Sequence, residues 1–374
     1  MSHPISSDPP RLPRTQWAAL PLLLLLALGC TGGSAPPAAD GGPSAAEGPT
    51  SPATGTAPTP GIPLASVTLL NVSYDPTREL YQELNGLFAA EARQHGREVT
   101  IRQSHGGSSS QARAVIDGLE ADVVTLALWS DIEAIRVKGL IKPGWEQKFP
   151  NGSLPYSSTI VFLVRRGNPK QFRDWPDLVR PGVEIITPNP KTGGGAKLSL
   201  LAAWGSVTTR GGTTDEARAF VKQLYQQVPV LDSGARAATV TFVQKQIGDV
   251  YLAWENEAHL ARLESAGELE IVYPPVSLRA EPMVALVDAV VDRRGTRQPA
   301  TDYLQFLYSP TAQEVIAKRY FRPIDPEVLA RHADRFPPLR QFAITDISAS
   351  WADALREFFD EGGIYDQISS AAAR

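Results

Sequence analysis

The sequence predicts an α/β protein of two comparable units, each a largely parallel sheet covered by helices, with the second unit inserted into the first. Three observations lead there. Short apolar runs alternate with segments of helical apolar spacing, the alternation occurs as two separate series, and one further strand-like run stands between the series and another after the second.

The first series opens with the apolar run 67–72. Asp75 then offers a helix N-cap with Pro76 at the first helical position, and Leu80, Leu84, Leu87 and Phe88 form the stripe that such a helix buries. Residues 99–103 read as the next strand, Ala112, Val115, Ile116 and Leu119 mark the helix after Ser108, and 122–128 is a buried strand. This βαβαβ order implies a parallel sheet with both faces covered. The second series has a strand at 183–186, a Gly-rich turn, a helix carrying Leu198, Leu201 and Ala202, helices at 215–226 and 235–247, and a strand at 250–253. The runs 159–164 and 283–287 are natural crossing strands between the units. Amphipathic helices at 303–307, 312–320 and 351–359 have no sheet of their own, so they are expected to pack back on the first unit. The expected lobes are therefore 64–158 with 280–374, and 159–279.

The residues ahead of this body read as an export signal and a tether. Arg11 and Arg14 precede the apolar run 20–28, which ends at Gly29-Cys30 and is too short to span a bilayer. Residues 1–30 are thus expected to be a signal peptide. Cys30 is the only cysteine of 374 residues, which excludes a disulfide within the chain. Its position resembles the lipidated cysteine of bacterial lipoproteins, although Ala27-Leu28-Gly29 lacks the usual leucine three places before it. Residues 31–63 are almost entirely Ala, Gly, Pro, Ser and Thr, a composition that cannot offset ordering entropy and predicts a disordered tether. Such a stretch reaches about 30 Å as a flexible coil. With a net charge of −4 and no basic stripe, the chain is not expected to bind nucleic acid.

Two lobes joined by two crossings leave a cleft, and open α/β sheets take ligands at the carboxyl ends of their strands. Four segments stand at such ends and open helices: Ser73-Tyr74-Asp75-Pro76-Thr77, Ser104-His105-Gly106-Gly107-Ser108-Ser109, Pro190-Lys191-Thr192-Gly193-Gly194-Gly195-Ala196 and Asp232-Ser233-Gly234-Ala235-Arg236. Each can aim free backbone N–H groups at one point, which makes an anion site without a formal charge. Taken singly these residues have plainer readings. Asp75 is a cap, three glycines in a row make a loop, and Trp254 on an apolar strand packs a core. Gly195-Ala196-Lys197-Leu198 also breaks the Gly-Lys-Ser/Thr order of a nucleotide-binding P-loop.

Taken together, residues 69–81, 102–108, 120–128, 186–191, 253–257 and 365–369 resemble, in order along the chain, the periplasmic sulfate-binding protein family, the soluble receptors of sulfate and thiosulfate ABC importers. The resemblance implies a two-lobed type II periplasmic-binding-protein fold with two hinge crossings. It implies a receptor that holds dehydrated sulfate between the lobes and delivers it to an ABC permease. The family's donors fall on the backbone N–H groups of Asp75, Ser108, Gly194, Gly195 and Ala235 and on the indole of Trp254. Arg236 is expected to act behind them by hydrogen-bonding the peptide that binds the anion. Family members commonly carry serine where this chain has Gly193, so Thr192 leaning in, a water, or one bond fewer is expected there. Thiosulfate is the nearest alternative ligand; molybdate, tungstate and phosphate are more distant ones. Sulfate offers only acceptors, whereas hydrogen phosphate brings a proton that an all-donor site leaves unmatched.

A hydrolase is disfavoured by the same residues. Ser104 and His105 are neighbours on a strand and point to opposite faces, no Gly-x-Ser-x-Gly elbow occurs, and His3, His95, His105, His259 and His332 lack metal-ligand spacing. Glu255 and Glu257 are expected to be paired with basic side chains, since free carboxylates repel a dianion. No cofactor is expected. The expected protein is a monomer secreted across the inner membrane, in a periplasm or on the outer face of the cytoplasmic membrane, held through a lipid on Cys30.

Overall fold

Apolar runs rich in Val, Ile and Leu become strands wherever the sequence alternates them with helices. The computed structural model describes residues 65–372, so the expected signal segment, Cys30 and the expected tether lie outside the described residues. Twelve strands are found among them: β1 (Ala65–Tyr74), β2 (Arg97–Gly106), β3 (Val123–Leu126), β4 (Tyr156–Arg165), β5 (Ile185–Pro188), β6 (Leu231–Asp232), β7 (Val250–Trp254), β8 (Leu269–Val272), β9 (Val276–Ala280), β10 (Met283–Leu286), β11 (Arg322–Pro323) and β12 (Arg340–Phe342). They form two sheets.

The first sheet has the order β10-β3-β1-β2, with β1 parallel to β2 and β3, and β10 antiparallel to β3. Alternate residues feed two apolar layers. Leu69, Val123, Val284 and Leu286 join Leu80, Leu84, Phe88 and Tyr303 on one face; Val72, Val124, Leu126 and Ala285 join Ala112, Val115 and Ile132 on the other. Each face is covered by helices, which is why β3 is buried at every position.

The second sheet runs β12-β9-β4-β7-β5-β6, and β4 also pairs with β8 and β11. It is mixed, where a largely parallel sheet was expected. β4 is antiparallel to β7, β8, β9 and β11, whereas β5 is parallel to β6 and β7. The reason is direction of entry. β4 arrives from the first sheet, with Tyr156 in that sheet's core and Phe162 and Val164 in the second, so it leads away from the junction while β5, β6 and β7 lead toward it. β9 and β12, short and invisible as separate strands in the apolar pattern, complete the sheet.

The C-terminal helices divide between the sheets. Those at Arg297–Phe306 and Pro310–Lys318 return to the first sheet, burying Tyr303, Leu304, Val315 and Ile316 there. The helix Trp351–Phe358 does not, contrary to expectation. Trp351, Ala354 and Phe358, followed by Ile364, Tyr365 and Ile368, join the core of the second sheet, where Trp204 meets Phe358 edge to face at 4.9 Å, and β12 pairs in parallel with β9. An amphipathic stripe states that a helix needs an apolar partner, not which sheet supplies it. No described helix is long and apolar enough to cross a membrane. Among the described residues, no group of three or more His, Cys, Asp or Glu is placed to hold a metal ion.

Candidate functional site

β1, β2, β5, β6 and β7 all end at one place. The six residues expected as donors, Asp75, Ser108, Gly194, Gly195, Ala235 and Trp254, line a single cavity of about 20 Å³ together with Gly193, Tyr74, Pro76, Gly106, Gly107, Ala196 and Gly234. Residues 85 to 180 positions apart in sequence thus meet across the two sheets.

The helices that begin at this cavity begin without caps. Ser108–Ile116 follows Gly107, Gly194–Thr208 follows Gly193, and Ala235–Val243 follows Gly234; none of the three starts has a side-chain cap or an acidic residue in its first turn. Four α-helices elsewhere carry a side-chain cap; those at Arg78–Gln94, Trp129–Val137, Glu255–Glu264, Asp288–Arg294 and Arg297–Phe306 lack one, and all but the last have an acidic residue in the first turn. Thr213 and Glu216 form a reciprocal capping box, and Ser309, Asp325 and Ser350 each accept a first-turn N–H. An N-cap glycine has no side-chain oxygen to offer, so the leading N–H groups of the helix and the positive end of its dipole stay available to a ligand. The first segment differs in detail from its sequence reading. Tyr74, not Asp75, is the N-cap residue, Asp75–Thr77 is a 3-10 turn, and the Asp75 carboxylate accepts from Arg78 at 3.2 Å instead of capping the turn.

Close approach accounts for two of the glycines. A Cβ on Gly195 would lie 2.3 Å from Trp254 Nε1, and one on Gly194 would lie 3.0 Å from Ser108 Cβ across the cleft. The Trp254 indole is 2% exposed and its N–H meets no protein acceptor. A buried, unmatched donor is costly unless something else accepts from it.

Surrounding groups hold these donors in place. The Ser108 hydroxyl donates to Asp131 Oδ2 at 2.5 Å and accepts from the Ala127 N–H at 3.0 Å, while Ser109 Oγ donates to Asp131 Oδ1 at 2.9 Å. Burial raises the Asp131 carboxyl above its ordinary range, with Lys197 and the two serines opposing. Asn256 Nδ2 donates to Pro76 O at 2.9 Å, tying the end of β7 to the end of β1. Neither Asp131 nor Asn256 was legible as part of the site, because both act through contacts distant in sequence. Gly106, Gly107 and Tyr74 also went unassigned, although they belong to the motifs that flagged their neighbours.

One expectation fails, and one of the three alternatives at Gly193 is set aside. The Arg236 guanidinium does not bond a site peptide: it donates to Glu79 Oε1 at 3.0 Å across the cleft and stands 3.9 Å from Glu257 Oε1. Two carboxylates outcompete a neutral carbonyl for a guanidinium. Thr192 does not lean into the cavity either, since its hydroxyl donates to Ser233 O at 2.8 Å. Glu255 is paired as expected, with both oxygens on Arg322 at 2.7 Å.

Glu257 is 2% exposed and burial pushes its carboxyl up to about 7, with Arg236 opposing and Glu79 and Asp75 adding to the rise. Since the folded value lies above the ordinary carboxyl value of 4.5, the folded state holds the proton more tightly. Stability from this group is full below about 4.5 and is lost as pH rises toward 7. Glu257→Gln is therefore expected to remove a fall in melting temperature over that window, worth at most about 3 kcal/mol by linkage. Thermal melts of both proteins from pH 4.5 to 8 check it; parallel curves would show that Glu257 titrates as in the unfolded chain.

Residues 69–322 match the bacterial extracellular solute-binding protein family. The chain is 53% identical over 307 residues to the sulfate-binding protein of Escherichia coli K12, covering 81% of this chain and 93% of that protein. It is 48% identical to the thiosulfate-binding protein of Pseudomonas aeruginosa, covering 82% and 93%. Among solved structures, the sulfate-binding protein SubI of Mycobacterium tuberculosis H37Rv matches with a TM-score of 0.70 at 32% identity, over 78% of this chain and 99% of that one. The uncapped helix starts, the shared order of motifs and these likenesses agree: the chain belongs to the bacterial extracellular solute-binding proteins, among the sulfate- and thiosulfate-binding members that serve ABC importers.

Proposed function

We propose that this protein captures a fully ionised tetrahedral sulfur oxyanion, sulfate or thiosulfate, between its two sheets and presents it to an ABC permease. The observation that supports this most is the set of uncapped helix starts around one cavity with the unmatched Trp254 N–H. Donors without a compensating cation suit a dianion that carries no proton. The anion's ligands in this reading are the N–H groups of Asp75, Ser108, Gly194, Gly195 and Ala235 and the indole of Trp254. Arg236 donates to Glu79 between the two halves; in this reading that contact forms on closure and favours the shut form. The reading includes export by residues 1–30, lipid attachment at Cys30, a free tether at 31–63, a monomeric body and no catalysis. Molybdate and phosphate serve as the contrasting ligands.

Isothermal titration of the purified, anion-stripped protein in chloride buffer tests the proposal. Tight binding of sulfate or thiosulfate with phosphate silent is the expected result. Binding of phosphate alone would mean that an acceptor lies in the cavity and that only the fold is shared with the sulfur-anion receptors.

A further inference from the structure

The glycines of the cavity are of two kinds. Gly195 and Gly107 have no room for a side chain, their Cβ atoms meeting Trp254 Nε1 at 2.3 Å and Thr192 O at 2.9 Å, and Gly194 is tight, with Ser108 Cβ at 3.0 Å. Gly193 is different. Its backbone is extended at φ −116° and ψ 124°, open to any residue, and a Cβ there would find its nearest neighbours, Asn189 O, Ser233 O and Ala196 Cβ, at 3.7 to 3.8 Å. Those are ordinary contacts. Nothing in the fold demands glycine at this position.

Gly193 also offers the cavity no hydrogen bond. Its N–H donates to Asn189 O at 3.0 Å, and its carbonyl accepts from the Ala196 and Lys197 N–H groups at 3.2 and 3.3 Å. The nearest hydroxyl, on Thr192, is occupied by Ser233 O. One section of the wall is therefore bare Cα–H with room for one further atom at ordinary contact distance, beside the donors of the helix starts and the indole.

We infer that Gly193 is a specificity-determining position that favours thiosulfate over sulfate. This rests on the anion-receptor reading above. An oxygen turned to the bare section is a buried acceptor without a donor, which is costly. The terminal sulfur of thiosulfate is larger and a weak acceptor, so it fills the space and forgoes little, while the three remaining oxygens keep the helix starts and the indole. Charge and overall shape are the same for both ions, leaving this section of wall to tell them apart.

The test is titration of the purified protein, Gly193→Ser and Gly193→Ala with sodium sulfate and sodium thiosulfate at fixed ionic strength, with thermal melts to establish folding. The wild type is expected to bind thiosulfate more tightly by about 5- to 100-fold, the range set by one unmatched buried acceptor. Gly193→Ser, which adds a donor and fills the space, is expected to tighten sulfate and reverse the order. Gly193→Ala fills the space without a donor and is expected to weaken thiosulfate while leaving sulfate no tighter. A wild type that prefers sulfate, or a ratio unchanged in Gly193→Ser with both anions still bound, overturns the inference and leaves the receptor reading standing. Failure of both anions to bind the folded wild type overturns the two together.

Discussion

Gly195→Ala is expected to weaken anion binding at least about 100-fold, the equivalent of two charge-assisted hydrogen bonds. Its added methyl would sit 2.3 Å from Trp254 Nε1, well inside contact distance. Either the helix start or the indole must move, and each carries a donor aimed at the same cavity. The indole has little freedom: Trp254 is 2% exposed and packs against Tyr74 with ring centroids 5.4 Å apart. The helix start is equally confined, since Gly194 faces Ser108 Cβ across the cleft. A clash at this point thus costs geometry on both walls. Titration calorimetry with sulfate and thiosulfate measures the loss. Affinity within a few-fold of wild type would remove the turn at 193–195 from the site.

Trp254→Phe is expected to reduce affinity about 10- to 100-fold, because a single hydrogen bond to a charged acceptor is worth about 1.5–3 kcal/mol. The phenyl ring keeps the aromatic packing with Tyr74 and deletes the buried N–H, which meets no protein acceptor. A residue that merely packed the core would give the opposite result, a lower melting temperature with binding intact. Calorimetric titration beside thermal melts in anion-free buffer separates the two. Loss of stability with unchanged affinity would assign Trp254 to the core alone.

Much of this site could be read from local sequence because its chemistry is local. A glycine ahead of a helical stripe, with no Ser, Thr, Asp or Asn to cap it, says that the first-turn N–H groups are free; Gly107, Gly193 and Gly234 say so without any tertiary information. The βαβαβ succession of the first series was legible for the same reason, as β1, β2 and β3 are apolar runs separated by segments of helical spacing. β9 and β12 escaped notice because short strands that owe their pairing to β4 and to each other leave no periodicity of their own. Arg236 was misassigned through proximity: it follows Ala235 in sequence, yet its partner Glu79 is 157 residues away.

The sequence by itself determined the two series of alternating elements, the carboxyl-end turns and the supply of uncapped backbone donors, since propensity, periodicity and capping act within a few residues. Only the tertiary structure decided that those turns converge on one cavity, that β4 reverses the second sheet, and that the helix Trp351–Phe358 packs on the second core. It likewise decided that Gly195 faces an indole while Gly193 has room for a Cβ at ordinary contact distances. Such outcomes depend on which apolar surfaces remain uncovered once both sheets have formed, and close packing resolves that choice between residues far apart in the chain.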